Sequence, residues 1–455
     1  MSTPIQTLSE ATPSAPALEQ TPGILRLAWP AIVGNLLYST VSMVDIKIVG
    51  SLGASAVAAV TTGNRIFFVF QAVIMATSVG TTAMVARAWG AGDRDEAARV
   101  TKVSVFVGAG VALLLSIPGV LFSHTLASVF RLEPDTVAQA SDFIFCLSLF
   151  NVSFAISMIL GTAIRAAGDT ITPLWIGAIT NVFNIVMVYA LVYGQLGAPK
   201  MGVKGAAIAT GSAFTLGALM SIVFWLKGWF IVDYARGPSL SAQRLRQLVR
   251  IGYPSAIEQG AVQFGFILFL WIVSFYGTSP YAAYGIGVQI LSFSFVVGFG
   301  FSIAASTHVG QRLGAQDPDG AAQSGWRAMS LSIGIMVALG AMIVSYAEPI
   351  ARFMIDDAEV VRLTVVFIYI LGAMQPLMAI EFALGGSLRG AGDTRFPLLT
   401  TITGLVVVRG GVAAIFLWLG LSVEWIFAAL IVDYIVKATM LVTRFRHGRW
   451  KTIVL

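Results

Sequence analysis

The chain reads IRAAGDTITPL at residues 164–174 and LRGAGDTRFPL at 388–398, one element written twice 224 positions apart. At that same offset, with no gap, Pro30 aligns with Pro254, Gly53 with Gly277, Gly63 with Gly287, and Gly90, Ala91, Asp93 and Asp95 with Gly314, Ala315, Asp317 and Asp319. The duplication covers nearly the whole chain. Within the repeated element, Gly168 and Gly392 permit a tight turn, Asp169 and Asp393 suit the cap of the next helix, and Pro173 and Pro397 suit its first turn. A structural role is therefore expected for the element, with substrate bound elsewhere.

The solvent in which the repeat folds follows from composition. Of 455 residues, 57% are hydrophobic and 11% charged, and the mean hydropathy is +0.84. Soluble domains carry roughly 25% charged residues, so this is a membrane protein. Runs long enough to cross a hydrocarbon core of about 30 Å occur about twelve times, near 26–50, 56–87, 101–123, 138–163, 172–194, 203–226, 245–276, 281–311, 327–347, 361–387, 396–420 and 422–443. They are too long and too uniformly apolar for barrel strands, so helices are expected. Residues 1–23 are Ser/Thr/Pro-rich and lack the cationic start of a signal peptide, which predicts an uncleaved, disordered cytosolic tail. A single cysteine, Cys146, excludes an intrachain disulfide. No loop is long enough to fold as a soluble domain.

Twelve spans place both termini on one side. Arg87, Arg94, Arg99, Lys102, Lys227, Arg236, Arg244, Arg246, Arg250, Arg444, Arg446, Arg449 and Lys451 fall at the termini and even-numbered loops. Only Arg131, Lys200, Lys204, Arg352 and Arg362 fall in odd-numbered ones. The positive-inside rule then makes both termini cytosolic, in a bacterial inner membrane. The net charge of +6 reports topology, because the cations are scattered over short loops instead of forming a nucleic-acid patch. Since each residue and its copy lie on one side, the repeats are parallel. The expected fold is all-α and polytopic, with twelve transmembrane helices in two six-helix bundles related by a pseudo-twofold axis along the membrane normal. Expected boundaries are a first lobe at 24–235, a second at 236–446 and a cytosolic tail at 447–455.

MVDIKIVGSLGASAVAAV from residue 43, GAGD at 90–93, GAQD at 314–317, MGVKGAAIAT at 201–210 and the doubled RxAGDT together resemble the multidrug and toxic compound extrusion (MATE) family, nearest its DinF-like branch. The resemblance runs from about residue 24 to 445. It implies an ion-driven antiporter, working as a monomer, that exports amphipathic organic compounds, often cations, in exchange for protons or sodium. The resemblance also implies site residues. Asp45 matches the acid the family places in its first lobe for coupling, and Asn181 and Asn184 match the family's asparagine. The aspartate usual one turn later is Val188 here. Thr210 belongs either to the same cavity or to close helix packing.

Ionisable groups within spans are costly and are functional candidates by default. Asp45, Glu258 and Glu381 qualify, since a carboxylate can hold a proton, sodium or a cationic cargo in mutual exclusion. The copy of Asp45 at the 224 offset is Phe269, so that acid belongs to one lobe. Arg65, or less favourably Lys47 two residues away on another helical face, is the expected counter-ion of Asp45. Glu258 and Glu381, if near each other, would form a proton site or a sodium site. Sodium-type members place the span-ten acid one turn earlier, where this chain has Met378. Arg409 resembles a family arginine and is the expected counter-ion of the second-lobe acids. Asp433 and Lys437, four apart, form an ordinary helical ion pair.

No cofactor and no firm metal site are expected, because His124, His308 and His447 are scattered. The chain has no Gly-Lys dipeptide and hence no Walker A loop, so it is not driven by ATP. It also lacks the clustered nucleophile or metal set of an enzyme. The preferred reading is a cation-coupled exporter with protons ahead of sodium. The alternative is a flippase or exporter of a lipid-linked or anionic metabolite on the same architecture, which Lys47 and Arg65 would favour.

Overall fold

The computed structural model describes residues 23–130, 132–237 and 239–455. The predicted tail at 1–23 falls outside the described residues except for Gly23, and so does Arg131. The first lobe comprises α1 (Ile24–Gly50), α2 (Ala54–Gly90), α3 (Arg94–Leu121), the short α4 (Ser123–Ser128), α5 (Pro134–Leu149), α6 (Asn151–Ala166), α7 (Ile171–Tyr193) and α8 (Gly202–Leu226). The second comprises α9 (Ala242–Ser274), α10 (Thr278–Gly314), α11 (Pro318–Ser345), the short α12 (Ala347–Met354), α13 (Ala358–Gly390), α14 (Arg395–Thr401), α15 (Gly410–Trp418) and α16 (Val423–His447). A π-helical stretch, Ile402–Arg409, joins α14 to α15 in one span. Among the described residues eleven segments are long and apolar enough to cross a membrane, and α5 with α6, taken as one bent span, makes a twelfth.

The repeat is visible residue by residue. The helices α2 and α10 each have 37 residues and α3 and α11 each have 28, starting 224 positions apart. Asp93 and Asp317 cap α3 and α11 identically, accepting the Glu96 and Gly320 amides at 2.8 Å. One expectation needs correction: the continuous span at 138–163 is bent by 51° between α5 and α6. Buried Asn151 sends its Nδ2 to the Ala112 carbonyl on α3 at 3.0 Å, and Gly211 of α8 leaves room for the Phe150 ring at the bend. The copy, α13, passes the equivalent point unbroken, with Gln375 in place of Asn151 donating to Ser294 Oγ at 2.7 Å.

The lobes meet through small residues, which let backbones approach closely in lipid. A Cβ on Gly90 would lie 1.9 Å from the Gln311 carbonyl oxygen, and one on Gly314 would lie 2.0 Å from the Arg87 carbonyl oxygen. Because Arg87 and Gln311 are themselves repeat partners, this is one contact made twice about the pseudo-twofold axis. The same holds one layer deeper, where Gly252 faces Ala76 and Gly300 faces Ala28. Between these layers, Gln311 Nε2 donates to the Ala166 carbonyl at 2.8 Å.

All of these contacts lie on the side of the C-terminal tail, and the tail takes part in them. Trp450 is fully buried and stacks on Phe445 at 4.5 Å. Beyond it, the Ile453 carbonyl accepts from Arg87 Nη1 of the first lobe at 2.6 Å. On the same side Arg244 Nε and Nη2 grip Glu96 at 2.7 and 2.5 Å. The linker after α8 is docked as well, with Val232 and Ala235 packed on Ala98 and Ala167. On the opposite side no hydrogen bond joins the lobes among the described residues.

Closure on the tail side should therefore depend on Gly90 and Gly314. In a variant carrying Ala86→Cys, whose site is fully buried here, Gly314→Leu should raise the rate of maleimide labelling several-fold by forcing α2 and α10 apart. An unchanged rate would show that the crossing does not close this face.

Candidate functional site

Five spans of the first lobe, formed by α1, α2, α5 with α6, α7 and α8, line a cavity of about 490 Å³, which Ile303 of the second lobe also touches. Among the described residues that line it, the only carboxylate is Asp45 and the only cation is Arg165. Asn181, Asn184 and Thr210 also line it, so all four first-lobe residues singled out from sequence come together. Asn184 Nδ2 donates to Asp45 Oδ2 at 2.8 Å. Asp45 Oδ1 and Asn184 Oδ1 are both buried and have no partner. Two acceptor oxygens thus stand free beside one carboxylate, which a proton or a cation would satisfy. The Thr210 hydroxyl returns to the Ala206 carbonyl of its own helix at 3.0 Å. Val188, one turn beyond Asn184, is fully buried among apolar side chains, so no second acid completes the pair.

The expected counter-ions of Asp45 are corrected here. Neither Arg65 nor Lys47 forms an ion pair, both are exposed, and neither lines the cavity. Proximity in sequence misjudged them, because the neighbours of Asp45 are set by α7 packing across α1. The cation in the cavity, Arg165, belongs to the repeated element for which only turn chemistry was expected. The turn chemistry holds for Asp169, whose Oδ1 accepts the amides of Ile171 and Thr172 at 3.0 Å. Asp393 instead pairs with Arg444 at 2.8 Å.

In the second lobe Glu258 and Glu381 bond different bases, although the charges of both act on Arg389. Glu258 Oε1 is held by Arg389 Nη2 at 2.5 Å and Thr401 Oγ1 at 3.1 Å. Glu381 is held by Lys437 Nζ at 3.0 and 3.1 Å. Lys437 also lies 3.5 Å from Asp433, so the expected helical pair is one link of a longer chain. Asp433 Oδ2 in turn receives Arg409 Nε at 2.8 Å and Nη2 at 2.5 Å. Arg409 is thus the counter-ion of Asp433, not of Glu258 or Glu381. Two acids meet two bases in this network, and Glu258 meets Arg389 in a separate pair, so each group is neutral. Gly404 makes room for the network, because a Cβ there would lie 2.3 Å from both Asp433 Oδ1 and Lys437 Cγ. Among the described residues no group of three or more His, Cys, Asp or Glu side chains could hold a metal. With Glu258 and Glu381 each neutralised by its own base, the expected sodium position there is not supported.

Two repeated helical lobes across a membrane, joined on one side and holding a half-polar cavity, define an integral membrane transporter of the duplicated-bundle class. A family model described as MatE matches residues 30–190 and again residues 254–415, the two starts lying one repeat apart. The chain belongs to the MatE family, a family of transporters and not of enzymes. It is 31% identical over 439 residues to a probable multidrug resistance protein NorM of Thermotoga maritima, spanning 94% of this chain and 92% of the relative. A NorM protein of Bradyrhizobium diazoefficiens is 27% identical, with 90% and 91% covered. Among solved structures, a MOP superfamily transporter from Pyrococcus furiosus, described as having a binding pocket of reversed polarity, superposes with a TM-score of 0.88 at 20% identity. It covers 96% of this chain and 98% of its own. The outward-facing conformation of a multidrug resistance MATE transporter superposes with a TM-score of 0.86 at 20% identity, covering 97% and 100%. At these identities the structures speak for the fold.

Removing one member of the second-lobe network strands its partner in low dielectric. Asp433→Asn should lower unfolding stability by about 3–5 kcal/mol, read as a lower melting temperature in detergent. Adding Arg409→Met to it should restore most of the loss. A single variant as stable as the parent would mean that the network carries no such burden.

Proposed function

We propose that this chain is a secondary antiporter that exports amphipathic organic compounds by alternating access, in exchange for protons, with Asp45 as the group that proton and cargo contend for. The observation that carries the reading is the state of its carboxylate. Half-buried Asp45 forms no ion pair among the described residues, and it keeps an unpartnered oxygen, as does the Asn184 that donates to it. A lone carboxylate facing a cavity can be neutralised by a proton or by a cationic cargo, but not by both at once. That exclusion is what couples one flux to the other.

Asn184 orients the carboxylate, Asn181 and Thr210 contribute polar wall, and the second lobe's salt-bridged acids serve as framework. Each second-lobe acid already has a base, Arg389 for Glu258 and Lys437 for Glu381, which weighs against a sodium site in that lobe and so favours protons. The NorM relatives are named for multidrug resistance, which supports export of drug-like molecules. Cation asymmetry supports an inner-membrane location with both termini cytosolic. On that orientation the tail-side closure faces the cytosol, and the cavity is reached from outside. The runner-up, a flippase or exporter of anionic metabolites, loses the support of Lys47 and Arg65, which lie away from the cavity.

Everted vesicles loaded with a pH-sensitive dye test the reading. Addition of a cationic substrate should release protons in vesicles carrying the parent chain, and Asp45→Asn should reduce the response to background with unchanged expression and melting temperature. Exchange driven by a sodium gradient alone, without any proton gradient, would overturn the proton assignment. Full activity in Asp45→Asn would overturn the site.

A further inference from the structure

The two lobes treat the same arginine in opposite ways. Arg389 and Arg165 are repeat partners, each lying against the glycine one turn before it, Gly385 and Gly161. Arg389 is neutralised by Glu258 at 2.5 Å, with Thr401 completing the acid's shell at 3.1 Å. Stepping back one repeat of 224 residues, Glu258 becomes Gly34 and Thr401 becomes Gly177. Both glycines line the first-lobe cavity together with Arg165. Both carboxylate and hydroxyl have therefore been removed around a retained guanidinium, and the space they would fill is cavity.

Arg165 keeps only a hydroxyl partner, Thr162 Oγ1 at 3.2 Å. The nearby Asp169 is occupied in capping α7. Asp45 makes no ion pair with it, and lies eleven residues beyond Gly34 on α1, about 16 Å along the helix axis at 1.5 Å per residue. The cavity is thus charged at both ends, with an acid towards one side of the membrane and an uncompensated arginine at the base. A guanidinium held this way presents a fork suited to a carboxylate.

We propose that Arg165 forms an anion subsite at the base of the first-lobe cavity, so that the favoured cargo is an amphipathic molecule bearing a carboxylate, with its cationic or neutral end towards Asp45. This deepens the antiporter reading and rests on it. The subsite also adjoins the closure between lobes, since the Arg165 carbonyl accepts from Thr307 of α10.

The repeat itself supplies the sharpest variant. Gly34→Glu would restore the acid that the second lobe possesses, and its Cβ would meet only Leu174 Cδ1 at 3.6 Å, an ordinary contact. Binding of a xanthene dye with a free carboxylate and of its methyl ester to the purified chain, followed by fluorescence anisotropy, separates the possibilities. The parent should bind the free acid about tenfold more tightly than the ester, the size of one charge-assisted hydrogen-bonded contact. Arg165→Gln and Gly34→Glu should each bring the ratio to about one, and Arg165→Lys should fall between. A ratio near one in the parent, or one that survives both substitutions, would overturn the subsite while leaving the antiporter reading intact. Failure of the parent to bind either dye would overturn both.

Discussion

A charge taken out of water into hydrocarbon costs several kcal/mol unless an opposite charge and hydrogen bonds meet it. The second lobe gives each of its span-buried acids a base, although Arg409 Nη1 and Asp433 Oδ1 keep no hydrogen-bond partner. Glu258 on α9 is tied to Arg389 on α13, while Glu381 on α13 is tied through Lys437 and Asp433 on α16 to Arg409 at the end of the π-helical stretch. The rings of Phe266, Phe269 and Tyr434 lie 5.7–6.0 Å from the Arg409 guanidinium. Each charge is needed by another, so these helices are bound to move as one body. The first lobe has no such network, and its two cavity charges stand apart.

Duplication explains how that difference arose within one architecture. Asp45 corresponds to Phe269, which packs fully buried beneath Arg409, and Gly34 corresponds to Glu258. Where one copy filled a position with a ring or a salt-bridged acid, the other kept space. The proposed function uses what the second copy neutralised. A cavity needs room and unsatisfied polar atoms, and a framework needs neither.

Much of this was legible in the sequence. Hydropathy placed the spans, because only helices satisfy their backbone in lipid, and the 224 offset gave the two-lobe pairing that α2 with α10 and α3 with α11 display. Asp45, Asn181, Asn184 and Thr210 converge as expected. The ion pairs were not legible, because a partner within one helix follows from i,i+4 spacing, whereas Glu258 with Arg389 and Glu381 with Lys437 join residues on different helices. Arg65 was chosen for Asp45 by nearness along the chain, which says nothing about the face presented. Arg165 was passed over because its motif was explained by its turn. The signal that could have found it was the gap in the repeat, glycine where the other copy has glutamate.

What joins the lobes is of another kind from what holds each together. The symmetric approach of Gly90 to Gln311 and Gly314 to Arg87 is backbone packing. The links made by charged side chains, Arg244 to Glu96 and Arg87 to the Ile453 carbonyl, lie at the tail-side rim, and the Arg244–Glu96 pair keeps 19% and 30% of its side chains exposed. A partly solvated pair of this sort contributes at most about 1 kcal/mol, against several for breaking a buried one. Parting the lobes on this side therefore strands no ion in lipid, whereas deforming the second lobe would. On the proposed alternating-access reading, that ordering of costs assigns the hinge to the interface. On that same reading, cargo bound in the first-lobe cavity would act on the interface beside the contact of Thr307 with the Arg165 carbonyl.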